Sequence, residues 1–276
     1  MKSITANLLF DVKNALGEGP LWHPVEKRLY WVDILGMDLY WSNVSLTGFE
    51  KKHFDKPISA FGFKKDSGFI LATGEGFAEW QMEQAEPIFL WNPLPGRRGV
   101  RMNDGKVDPL GRFWAGSMDF EQQEGELYRL DPDSTQHTLL ENIGISNGIG
   151  WSPDRQKMYY TDSLQHTIFV FDYDLATGDI SNRRVFVELP KTAEEIVPDG
   201  LCVDAEGCVW SAQWNGWQVV RYDHQGNPIQ QVKVPAQRVT SCCFGGEKLD
   251  TLFITTSRAD LSPDVLDTQP LAGGVF

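Results

Sequence analysis

Arg101–Met118, RMNDGKVDPLGRFWAGSM, is the stretch that decides the fold. Asn103, Asp104 and Gly105 open a short apolar alternation, Asp108-Pro109-Leu110-Gly111 supplies a turn, and Arg112-Phe113-Trp114-Ala115-Gly116 reads as the returning strand. Side chains with ligand-capable oxygens thus stand at the head of a strand, turn, strand unit.

Five further segments repeat that unit. Leu16-Gly17-Glu18-Gly19-Pro20 leads through Val25-Glu26-Lys27 to Leu29-Tyr30-Trp31-Val32-Asp33. Ser59 heads a strand that turns at 64–68 and returns over Phe69-Ile70-Leu71-Ala72-Thr73. Asn147 heads a unit turning at Ser152-Pro153-Asp154, Asp199 one turning at Asp204-Ala205-Glu206-Gly207, and Thr240 one turning at Gly245-Gly246-Glu247. The heads fall at 18, 59, 103, 147, 199 and 240, with separations of 41, 44, 44, 52 and 41. A repeat of about 40 to 50 residues built from short strands is the signature of β-propeller blades, whereas a helical array needs a 3.6-residue period. Only Lys191 to Ile196, inside the longest repeat, has room for a helical turn.

Third strands are expected at Gly125–Leu130, Thr167–Phe171 and Trp217–Tyr222, and weaker fourth strands at Arg184–Val187 and Ile229–Val234. The expectation is an all-β, six-bladed β-propeller with four-stranded blades, forming a single domain over 1–276. Ala6 to Val12 reads as a strand with no unit of its own and is assigned as the outer strand of the last blade, closing the ring and protecting its edges. Gly273-Gly274-Val275-Phe276 resembles a third strand cut short, which suggests that the natural chain runs slightly past Phe276.

Composition narrows the function. The 276 residues are 41% hydrophobic and include 10 Trp, ample for a core. A net charge of -13 argues against nucleic acid, which requires a basic stripe, and against anionic membrane surfaces. The four cysteines, at 202, 208, 242 and 243, make no metal-type C-x-x-C pair and are expected to be reduced and buried. The N-terminal apolar run is broken by Asp11, unlike a signal peptide, and no window reaches the length of a membrane span. These readings give a cytoplasmic protein, monomeric or weakly oligomeric.

In a propeller the first strands line the central channel, so Glu18, Ser59, Asn103, Asn147, Asp199 and Thr240 are expected to converge at one mouth. Each carries a side-chain oxygen. Such a set suits one hard divalent ion, Ca²⁺, Mg²⁺ or Mn²⁺, with Zn²⁺ also open although no His stands at a head. Turn chemistry alone would also explain Gly-flanked Asn, Asp and Glu, but six equivalent positions favour the site.

At these residues the chain resembles the SMP-30/gluconolactonase family. The matching motifs are Leu16-Gly17-Glu18-Gly19-Pro20, Asn103-Asp104-Gly105-Lys106, Ser146-Asn147-Gly148, Pro198-Asp199-Gly200 and Ala272-Gly273-Gly274, in order along essentially the whole chain. The resemblance implies one divalent metal in the channel and an activity that opens sugar lactones to aldonic acids. It carries Glu18, Asn147 and Asp199 over as metal ligands, and Arg101, Asn103 and Glu121 as substrate contacts; Asp119 or Glu124 takes the place of Glu121 if the loop shifts. Trp210-Ser211-Ala212 departs from the family, which often has Cys or Ala after Trp.

Lactone hydrolysis needs a polarised carbonyl, an activated water and a stabilised oxyanion, and a Lewis-acidic ion supplies the first and third. Asp199 is the candidate general base; as a pure ligand it would leave water activation to the ion. The forked donors of Arg101 suit a carbonyl or sugar hydroxyl, and Asn103 both donates and accepts. No G-x-S-x-G occurs, and the five histidines lie in turns or at strand ends. Trp214 and Trp217 are candidates for the rim, and loops 120–124 and 189–197 for pocket shape. Two rivals remain open: a non-enzymatic calcium-binding or regulatory propeller, and a metal-dependent esterase or phosphotriesterase on the same scaffold.

Overall fold

A computed structural model, which describes residues 1–65 and 67–276, resolves the chain into strands and one short helix among the described residues. The first sheet runs β2 (Gly17–His23), β3 (Arg28–Asp33), β4 (Asp38–Ser42) and β5 (Phe49–His53). The second runs β6 (Ile58–Phe63), β7 (Phe69–Thr73), β8 (Gly76–Trp80) and β9 (Ile88–Trp91). The third is β10 (Arg101–Val107), β11 (Phe113–Met118), β12 (Gly125–Leu130) and β13 (Gln136–Ile143). The fourth is β14 (Ser146–Trp151), β15 (Lys157–Asp162), β16 (Thr167–Tyr173) and β17 (Ile180–Glu188). The fifth, β18 (Val197–Val203), β19 (Val209–Trp214), β20 (Gln218–Tyr222) and β21 (Pro228–Lys233), also carries β1 (Lys2–Thr5) along its outer edge. Among the described residues all strand pairings are antiparallel except β1 on β21.

The fold is an all-β propeller. First strands pack on first strands in the order β2, β6, β10 and β14, then β18 and β22 (Arg238–Gly245), which returns to β2. Successive residues of a strand face opposite neighbours, so a strand buried on both faces reads as a continuous apolar run. In Leu29-Tyr30-Trp31-Val32, Tyr30 and Val32 join the cluster shared with the second sheet, while Leu29 and Trp31 join Phe253 and Cys243 of β22 and β23 (Thr251–Ser257). Six such clusters fill the seams. Burying one Phe such as Phe61 contributes about 1.5–3 kcal/mol, so each seam is a substantial clamp.

Two architectural expectations are corrected. Five blades have four strands; the sixth repeat forms only the pair β22–β23. After Ser257 the chain enters a loop and helix α1 (Pro263–Thr268), N-capped by Ser262 with Pro at its first turn, and no third strand follows at once. Val275 pairs with Thr255 through a single bridge. The N-terminal strand is likewise not 6–12: β1 ends at Thr5 and joins the fifth sheet, and Phe10 meets Val275 only as an isolated bridge. Residues 191–196 form no helix. The four cysteines are free and buried as expected; Cys202 and Cys242 sulfurs lie 3.6 Å apart, in contact but not bonded. Among the described residues no helix is long and apolar enough to cross a membrane.

Candidate metal centre and substrate cavity

Each first strand breaks register at its head. The breaks lie between Glu18 and Leu21, Ile58 and Ala60, Met102 and Gly105, Asn147 and Ile149, Pro198 and Leu201, and Val239 and Ser241. A β-bulge bends its strand and re-aims a side chain, and here it does so at the same height in all six sheets. After the Asn147 and Asp199 heads the glycine answers a spatial demand, not a hairpin turn, whereas Gly19 after Glu18 is set by its positive φ of 54°. A Cβ on Gly148 would lie 2.7 Å from the Asp199 carbonyl oxygen and 2.6 Å from the Leu201 nitrogen, and one on Gly200 would lie 2.8 Å from the Ser241 Cα.

The heads do not all converge. Glu18, Asn103, Asn147 and Asp199 line one cavity of about 280 Å³. Ser59 instead donates to the Ala72 carbonyl at 3.2 Å, and Thr240 to the Gly17 carbonyl at 2.5 Å, which spends both inside the ring.

Hydrogen bonds fix the polar side chains. Arg101 Nη1 donates to Asn103 Oδ1 at 2.8 Å and to the Met102 carbonyl at 3.0 Å. Asn103 Nδ2 donates to Asn147 Oδ1 and to the Ser146 carbonyl, both at 2.8 Å. Asn147 Nδ2 donates to Ser163 Oγ at 2.8 Å, and Ser163 donates to the Pro198 carbonyl at 2.5 Å. The chain of bonds sets the Asn147 amide and leaves its oxygen a second lone pair. Asn103 lines the cavity, but its amide N–H groups are engaged by the Asn147 side chain and the Ser146 carbonyl.

The electrostatics are lopsided. Burial, then Asp104, then Asp199 push the Glu18 carboxyl well above its ordinary range, against the pull of the Gly19 amide and Arg101. Burial and Asp104 raise Asp199 likewise, and burial lifts Asp104 to about 7 although Lys106 and Arg101 oppose it. Lys106 donates to the Leu201 carbonyl at 3.3 Å, and burial also lowers Arg101. Three crowded carboxylates beside an amide oxygen form an all-oxygen donor set with too much negative charge, and a divalent cation fits what that set lacks.

Glu121 does not reach this centre. Asp119 accepts the backbone amides of Glu121 and Gln122 at 3.0 and 3.1 Å, curling the loop so that Glu121 is exposed and Phe120 lines the cavity. Asp119 is committed to that turn, and Glu124 is exposed; neither lines the cavity. Loop 189–197 contributes Glu195 and Val197, and Trp214 joins the wall, whereas Trp217 does not line the cavity.

Several residues of the centre escaped the sequence reading. Asp104 lies beneath the cavity, acting on Glu18 and Asp199 through its charge without lining the wall, and a carboxylate one place past a head reads as turn chemistry. Ser163 gave no signal. Arg238 did: it precedes Thr240 by two residues, as Arg101 precedes Asn103.

A second acidic cluster, Asp204, Glu206 and Cys208, brings ligand atoms within 4.8 Å of one another. Arg221 already pairs with Asp204 at 2.6 Å and Glu206 at 2.5 Å, and Trp210 Nε1 donates to Asp204 at 2.9 Å. Burial raises the Cys208 thiol. That cluster is the turn of the fifth blade, built like Asp108, which accepts from Arg112 and from Trp114 Nε1.

Known proteins share this architecture. Rabbit (Oryctolagus cuniculus) regucalcin is 38% identical over 284 residues, covering all of this chain and 94% of its own length. A calcium-binding protein, regucalcin, from Agrobacterium tumefaciens superposes with a TM-score of 0.93 at 27% identity, covering 100% of this chain and 93% of that one. A luciferin-regenerating enzyme superposes at 0.87 with 32% identity, over 96% and 92% of the two chains. The model of the SMP-30/Gluconolactonase/LRE-like region matches residues 16–258, and the chain belongs to that family.

Proposed function

We propose that this protein is a metal-dependent hydrolase of sugar lactones. The observation that carries the reading is a set of buried carboxylates and one fixed amide oxygen opening into a cavity the size of a small sugar ring. Glu18, Asn147 and Asp199 would hold one divalent ion, Ca²⁺, Mg²⁺, Mn²⁺ or Zn²⁺. When bound, such an ion supplies Lewis-acid polarisation and charge for a developing oxyanion.

The remaining work falls to the chain itself. Asp199 accepts, at a carboxylate oxygen, a proton from the attacking water. Arg101 donates to the lactone carbonyl or a neighbouring hydroxyl, with its guanidinium held by Asn103. Asn103 and Ser163 keep the Asn147 oxygen aimed inward. Trp214 offers an apolar face to the C–H side of a sugar ring and helps exclude water.

The test is a lactone panel on metal-stripped protein reloaded with each ion in turn, with a phosphotriester run alongside. Stripping is expected to abolish lactone opening and reloading to restore it. Asp199→Ala is expected to lose about 10²-fold or more in kcat while keeping its near-ultraviolet dichroism. Full turnover in that variant sinks the assignment.

The Agrobacterium relative, described as a calcium-binding protein, favours a second reading in which the centre binds Ca²⁺ without catalysis. Calorimetric Ca²⁺ binding with no turnover of any lactone under any metal would select it. For the architecture, we propose that the bridges from Val275 to Thr255 and to Phe10 extend the last sheet, so that the N-terminal segment closes the ring.

A further inference from the structure

Arg238 brings unspent donors into the cavity. Its Nε and Nη1 are buried and, among the described residues, have no hydrogen-bond partner. Nη2 reaches only the Asp260 carbonyl, at 3.4 Å. The Asp260 carboxylate stands 3.5 Å from Nη1 but is 88% exposed, so water screens it and it is a weak counter-ion. The guanidinium lies over the Trp214 ring, 4.7 Å from its centre, and both residues line the cavity.

Position adds to this. Arg238 and Arg101 each stand two residues ahead of a head, and β22 and β10 lie three places apart in a ring of six first strands. The two arginines therefore line the same cavity from strands on opposite sides of the ring. Arg101 has close acceptors within the protein at 2.8 and 3.0 Å; among the described residues Arg238 meets only the exposed Asp260, at 3.4 and 3.5 Å, and its Nε and Nη1 form no hydrogen bond. A buried N–H that has lost water and gained no acceptor is unfavourable, and a guanidinium is best satisfied by paired carboxylate oxygens. A sugar hydroxyl would accept one bond and leave the charge uncompensated.

We propose that Arg238 is a specificity-determining residue that takes a carboxylate on the substrate, opposite Arg101, so that the preferred lactone carries a second acidic group. The inference rests on the lactonase reading for its chemistry, but the binding it asserts is measurable without turnover. Trp214 serves as the reporter because it stacks on the guanidinium.

The Ca²⁺-loaded wild type is titrated with glucarate and with gluconate, following tryptophan fluorescence. Glucarate is expected to bind at least about ten-fold tighter. Arg238→Met is expected to bring the ratio of the two affinities to about one, and Arg238→Lys, which keeps charge but loses the fork, to an intermediate value. In parallel, kcat/KM for glucaro-1,4-lactone over glucono-1,5-lactone should show the same ordering, with the change in KM. If neither lactone is opened, the lactonase reading fails while the titration still decides Arg238. Equal affinities in the wild type overturn the proposal, whatever the variants do, and so does an Arg238→Met variant that folds and keeps the wild-type ratio.

Discussion

Glu18, Asp104 and Asp199 hold more negative charge than their surroundings neutralise, and that has a sign in stability. Their folded-state values lie above the ordinary carboxylate range, Asp104 at about 7. Between about pH 4, where these groups titrate when unfolded, and about 7, the cation-free folded state binds more protons than the unfolded one. Stability therefore falls as pH rises through that window. The melting temperature of chelator-treated protein is expected to drop between about pH 5 and about pH 7.5, and saturating Ca²⁺ to flatten the slope. A melting temperature that is level or rising without the cation refutes the charge crowding. The repeat makes all six heads legible in the sequence because they recur at one place, and the family resemblance is what singles out Glu18, Asn147 and Asp199 among them. Asp104 and Arg238 are displaced from that place by one and two residues, and a pattern keyed to the heads passes over them. Glu121 was placed by distance along the chain, and the Asp119 turn shows how little that distance constrains a loop.

The first strands reward the same scrutiny as elements. Repeat spacing and turn chemistry were enough to locate the first two strands of every unit, because two-sided burial writes long apolar runs bounded by Gly, Pro and Asp, but the outer strands β5, β8, β9 and β13 went unnamed. What they concealed was the bulge. Asn-Gly and Asp-Gly between apolar residues normally signal a tight turn, whereas here Gly148 and Gly200 sit where adjacent first strands nearly touch. Gly148→Ala must push on the Asp199 carbonyl and Leu201 nitrogen, both backbone atoms that cannot swing away. It is expected to cost about 1–3 kcal/mol in chemical denaturation and to weaken cation affinity, since the strand it moves carries Asp199. Wild-type stability in that variant would show that the strands have slack. Helix α1 was missed because six residues are too few to display a period, although Ser262-Pro263 is a legible start signal.

At the scale of the molecule, the ring has a weak place. Five sheets are complete, while the sixth depends on single bridges at Val275 and Phe10. Phe10 is buried there, stacked on Trp31 at 5.7 Å. Phe10→Ala is expected to cost about 3–5 kcal/mol, read as a lower melting temperature and faster proteolysis near both chain ends. A loss under about 1 kcal/mol would mean the bridges close nothing. The sequence reading assumed uniform blades because a repeat in the first two strands says nothing about the outer two. It is there, where pairing is made by distant parts of the chain, that the six copies differ.

The bulges that aim Glu18, Asn147 and Asp199 belong to the ring, while Phe120 and Glu195 reach the same cavity from connecting loops. Floor and wall are thus built by separate parts of the chain. Exchanging 119–124 or 190–196 for other sequences should reshape the wall and change which small molecule fits without dismantling the hearth, which makes the scaffold a natural host for loop grafting.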